Sequence, residues 1–75
     1  MTEQIVTIHT DYITLDAFLK WTGVAETGGQ AKALIAAGLV SVNGEPERRR
    51  GRKLRPGDRV RLEGGGLWLL RREGE

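Results

Sequence analysis

Residues 27–44, TGGQAKALIAAGLVSVNG, restrict the possible folds of this chain more than any other stretch. Ala31, Leu34 and Ile35 fall at i, i+3 and i+4, the spacing that gives a helix one apolar face. Gly38 follows where a helix needs a left-handed residue, a conformation that costs glycine little. Val40 and Val42 then alternate with Leu39, Ser41 and Asn43, the period of a half-buried strand. Asn43-Gly44 predicts a two-residue hairpin, because a type I′ turn needs positive φ at both central positions. A helix, a stop, a strand and a turn are thus fixed in order.

The flanks supply what this unit packs against. Residues 4–9 are β-rich and predict a strand, with residues 10–13 as a link. Residues 14–21 predict a first helix: Thr14 as N-cap, Asp16 in the positive first turn, Leu15, Phe18 and Leu19 as the stripe, and Gly23 as the stop. Thr27 is placed to cap the second helix. Helices this short are marginal alone in water, so they must share a core with each other and a sheet. Pro46 cannot continue a central strand. Residues 48–53 predict a projecting basic loop, and residues 54–58 a turn around Pro56-Gly57. Arg59-Val60-Arg61-Leu62 alternates as a strand, Gly64-Gly65-Gly66 turns, and Leu67-Trp68-Leu69-Leu70 is a last strand before a frayed tail from Arg71.

With 75 residues the chain has room for one domain, its core expected over residues 14–63. It has no cysteine and one histidine, His9, so neither disulfides nor an ordinary zinc site can staple it. No apolar run approaches the ~20 residues of a membrane helix, and Met1-Thr2-Glu3-Gln4 lacks the positive start of a signal peptide. The expectation is a cytoplasmic protein with no metal, cofactor or small-molecule substrate. Ser41 and His9 read as surface residues rather than a nucleophile and its base. Asp11, Asp16, Glu26, Asp58 and Glu63 form no pair at an acid/base spacing, so no enzyme is expected.

Charge is the informative quantity. Residues 45–61 hold eight of the chain's twelve Lys and Arg against three acids, while the rest of the chain is slightly acidic. Such segregation predicts a polyanionic partner. Arg48, Arg49, Arg50, Arg52 and Lys53 lie within six positions. Arginine's planar fork suits phosphate, and each phosphate neutralised releases counterions. Backbone N–H groups near Gly28, Gly29 and Gln30 can face an anion, with Lys32 one turn on and Gln30 able to bond a base or ribose. The competing reading of the glycines is a small-residue start that lets the helices approach closely. Lys20 lies beside Trp21, which can stack on a base; Trp68, among leucines, reads as core.

These residues together resemble the S4 domain, a small RNA-binding module. The resemblance rests on Leu15-Asp16-Ala17-Phe18-Leu19-Lys20 with Gly23, on Gly29-Gln30-Ala31-Lys32 with Leu34-Ile35, on residues 38–44, and on Pro56-Gly57-Asp58-Arg59-Val60. The nearest pattern is that of small stand-alone bacterial S4 proteins, through Asn43-Gly44-Glu45-Pro46-Glu47 and the basic run to Leu54, which carries one residue more between Glu47 and Gly51 than the family form. Many S4 domains have a serine-arginine pair where this chain has Gly28-Gly29. The resemblance implies an α+β fold with the αL motif: two short packed helices against a small, mostly antiparallel sheet. It implies binding of structured RNA, ribosomal or tRNA-like, or of the ribosome itself, through Lys20, Gly29, Gln30, Lys32, Arg48, Arg49, Arg50, Arg52 and Lys53. The alternative is a protein-interaction module of the same fold whose basic loop docks an acidic partner.

Overall fold

A computed structural model describes residues 3–74; the Met1-Thr2 start and the terminal Glu75 lie outside the described residues. The elements are β1 (Gln4–Ile8), β2 (Ile13–Thr14), α1 (Leu15–Trp21), α2 (Gly28–Ala36), β3 (Val40–Val42), β4 (Glu45–Pro46), β5 (Lys53–Leu54), β6 (Arg59–Leu62) and β7 (Leu67–Arg72). One sheet has the order β1-β7-β6-β3-β4, and β2 with β5 forms a second, two-stranded sheet. Pairing is antiparallel except between the first and last strands, which run parallel from Gln4↔Trp68 to Ile8↔Arg72. The architecture is the expected α+β one.

The helix–strand–turn unit forms as its residues dictate. Thr27 Oγ1 accepts from Gln30 N at 3.1 Å. Gly38 has φ +76°, and Asn43 and Gly44 have φ +53° and +88°, so the two-residue turn reverses the chain and pairs Val42 with Glu45. Pro46 lies on the edge strand β4, where its missing N–H breaks no central ladder. The core gathers Leu15, Phe18 and Leu19 from α1, Ala31 and Ile35 from α2, and Val40, Val42, Val60, Trp68, Leu70 and Ile8 from the sheet. Trp68 packs edge-on to Phe18, with ring centroids 5.9 Å apart.

Five expectations are corrected. The tail is not frayed from Arg71: β7 continues through Arg72, because β1 offers it a parallel ladder, and Glu73 N donates to Ile8 O at 3.0 Å. The link over residues 10–13 ends in a strand residue, Ile13, which pairs with Leu54. Leu54 is therefore buried in β5 rather than part of a turn, and the turn begins at Arg55. Thr14 occupies the N-cap position of α1, but its side chain makes no capping bond. The first N–H groups of α1 are met from elsewhere: Leu15 N donates to Arg52 O at 2.9 Å and Asp16 N to Arg50 O at 3.1 Å. The basic loop therefore does not project; its backbone is docked on the start of α1.

Candidate nucleic-acid interface

Glu47 organises the basic loop. It is the one buried charged residue among those described, 7% exposed, and it stands between β4 and the arginines. Its Oε2 accepts from the backbone N–H groups of Arg48 (3.1 Å) and Arg49 (3.3 Å) and from Arg49 Nε (3.2 Å). Its Oε1 accepts from Arg49 Nη2 (3.1 Å) and Arg52 Nη1 (2.9 Å). A buried carboxylate persists only when its lone pairs are met this way. The Arg49 and Arg52 hydrogen bonds hold its pKa at about 2 against the opposing effect of burial.

The loop then spans the ends of two helices. Arg48 Nη1 donates to Ala36 O at 3.2 Å, and its guanidinium lies over Gly38, where a Cβ would sit 3.0 Å from Nη2. A cation there suits the negative end of α2 and satisfies an otherwise orphan carbonyl. Two residues on, the Arg50 carbonyl receives α1's second N–H. Asp16 is held below the ordinary carboxylate range, first by a hydrogen bond from the Thr14 side chain, with Lys20 and Arg50 adding charge. Lys53 projects from β5 with Nζ 4.8 Å from the centre of the Tyr12 ring, a cation–π contact.

The anticipated RNA-binding residues thus fall into two groups, with Lys20 apart from both. Arg48, Arg49, Arg50, Arg52 and Lys53 are brought together where α1 begins and α2 ends. Gly29, Gln30 and Lys32 lie in the opening turns of α2, roughly 10 Å along the helix axis from Ala36 at 1.5 Å per residue. Lys20 lies in the last turn of α1. Gly28 and Gly29 are exposed, and a Cβ at Gly28 would meet nothing. Gln30 has a structural duty: its Oε1 accepts from Glu26 N at 2.7 Å, completing a capping arrangement with Thr27 and leaving its amide N–H groups unused there. Among the described residues Lys20, Lys32, Arg50 and Lys53 enter no ion pair, whereas Arg49 and Arg52 do.

Sequence reasoning missed Glu47 and Tyr12. The signal for Glu47 was an acid directly preceding three arginines in a loop that must order itself. It also left Asn43 as a turn residue only. Asn43 Nδ2 donates to Asp58 Oδ1 at 3.0 Å, and its Oδ1 accepts from Arg59 N at 2.9 Å, so it clamps the hairpin to β6.

The family model of the S4 domain matches residues 6–67 of the chain. A probable ribosome maturation protein RlbA of Bacillus subtilis (strain 168) is 49% identical over 65 residues, covering 87% of this chain and 92% of the relative.

Proposed function

The chain belongs to the S4 domain family, and on that basis we propose that it binds structured RNA, ribosomal RNA foremost, as a non-enzymatic cytoplasmic factor. The observation that carries this reading is the loop of residues 47–53, in which one buried carboxylate sets the positions of two arginines and leaves further cations open. Arg50, Lys32 and Lys20, together with Lys53 beside the Tyr12 ring, are the cations outside the ion pairs of Glu47 and can meet phosphate. Arg49 and Arg52 spend only part of their five donors each on Glu47, so they present the remainder with fewer rotamers to freeze on binding. The open N–H groups at Gly28 and Gly29 and the amide of Gln30 add neutral donors at the positive end of α2. The ends of two helices and a rigid loop form a shape-reading surface, as recognition of folded RNA requires. The name of the Bacillus subtilis relative favours ribosome maturation as the setting.

Binding of the purified chain to ribosomal RNA, tRNA and duplex DNA across a salt series tests the reading. RNA is bound in preference to DNA, and log affinity falls linearly with log salt. The triple variant Lys32→Ala, Arg50→Ala and Lys53→Ala leaves the folded core untouched. It lowers the steepness of that line by roughly 2 to 3, about one for each phosphate that is no longer neutralised. Equal, shallow binding of every polyanion would defeat the proposal. So would an unchanged slope in the triple variant.

A further inference from the structure

We infer that Trp21 stacks on an unpaired base of the bound RNA, in the cleft between the end of α1 and the segment that follows β1. The inference rests on the RNA-binding reading and adds a nucleotide site to it. The chain has two tryptophans, one tyrosine and one phenylalanine. Phe18 and Trp68 belong to the core, where they pack edge to face. Tyr12 and Trp21 are left outside it, 42% and 67% exposed. Aromatic rings contribute to folding through the area they bury, so an indole this exposed contributes little. Each exposed ring has a lysine beside it. Lys20 precedes Trp21 in the last turn of α1, and Lys53 stands over the Tyr12 ring.

The cleft has the parts that a nucleotide needs. Thr7, Ile8, His9, Thr10, Ile13 and Trp21 line it. The indole offers a flat π-face, the two isoleucines an apolar lining, and Thr7 and His9 polar atoms for a base edge. His9 bonds Glu73 through Nδ1, which leaves Nε2 for that use. Thr10 Oγ1 donates to Tyr12 O at 2.7 Å and so fixes the segment that carries Tyr12. Ile13 pairs with Leu54, and the residues just before them, Tyr12 and Lys53, make the cation–π contact. One wall of the cleft is therefore joined to the end of the basic loop. The other wall is Trp21, about 9 Å along α1 from the point where the loop docks. A strand lying on the loop reaches the cleft without a detour. The lysines select the occupant. Cations at both ends serve phosphates and would be idle against an apolar protein segment, while the cleft between them holds no Lys or Arg and takes the uncharged base. Unpaired bases splayed from folded RNA are stacked on aromatic side chains in this way.

Binding of the full chain to a pair of RNAs tests this: a duplex with a short adenosine tail, and the same duplex with an abasic tail of equal length. The phosphates match, so the ratio of the affinities reports the bases alone. The wild type prefers the adenosine tail by at least about fivefold, the lower end for one base stacked on an aromatic ring, and its tryptophan emission falls as that tail binds. Trp21→Leu keeps the circular dichroism and an apolar side chain but brings the ratio to about one. Trp21→Phe retains a π-face and most of the preference. Equal affinity for the two tails in the wild type overturns the inference and leaves the RNA-binding reading standing. So does a preference that survives undiminished in Trp21→Leu, which would place the base elsewhere. A wild type that binds neither RNA at low salt overturns both.

Discussion

Replacing Glu47 by Gln keeps the shape of the loop anchor and removes its charge. The folded carboxylate has a pKa of about 2 against 4.5 for the free group. A depressed pKa means the ionised form favours folding, so the contribution is present above pH 4.5 and is lost as pH falls toward 2. A shift of that size corresponds to ~3 kcal/mol at neutral pH. The Arg49 side chain is 76% exposed, so solvent screens its share and leaves about 2 kcal/mol. For a small domain with about 4–11 kcal/mol in all, this is a large fraction. At pH 7, Glu47→Gln therefore melts roughly 8–16 °C below the wild type. The test is urea unfolding of both proteins from pH 7 to pH 3. Other acids, Asp16 among them, titrate in both, so the difference between the two curves isolates Glu47. That difference shrinks from ~2 kcal/mol at pH 7 to below ~1 kcal/mol at pH 3. A difference that stays constant with pH, or is absent at pH 7, refutes this role for Glu47.

Other perturbations have defined outcomes. Glu47→Gln removes a negative charge, yet it lowers RNA affinity a few-fold in filter binding at 25 °C, because Arg49 and Arg52 lose their brace; simple charge counting requires the opposite sign. Gly66→Ala puts a Cβ 2.8 Å from Trp68 Cζ3 on a residue with φ +137°, and chemical denaturation shows a loss of about 2 kcal/mol or more. Thr27→Ala removes the cap on Gln30 N and costs ~1 kcal/mol in the same assay. Gly38→Ala strains a residue at φ +76° and displaces the Arg48 guanidinium from the end of α2, costing ~1–2 kcal/mol.

Short-range chemistry could be read from the sequence. Asn43-Gly44 and Gly38 announced their positive φ values, Thr27 its cap, and the 3.6-residue spacing of Leu15, Phe18, Leu19, Ala31 and Ile35 the buried faces. What stayed hidden depends on partners far along the chain. Arg71 and Arg72 look like a charged tail until β1, more than sixty residues earlier, gives them a ladder. Ile13 and Leu54 form a strand pair too short to leave a periodic signal. The basic cluster showed its charge but not its division of labour. That Arg48 closes α2, that Arg49 and Arg52 clasp Glu47, and that Arg50 and Lys53 stay outside the Glu47 ion pairs, Lys53 against Tyr12, follows only from the loop's docking on α1.

In the proposed complex, RNA lies across the loop of residues 47–53 and the start of α2. Titration of isotopically labelled protein with a ribosomal RNA fragment, followed by amide and arginine side-chain NMR, reads that placement residue by residue. The largest shifts are expected at residues 28–32 and 48–53, with Glu47 still bonded to Arg49 and Arg52 in the complex. Shifts confined to Arg59, Arg61 and Arg71, with the loop unmoved, would contradict it.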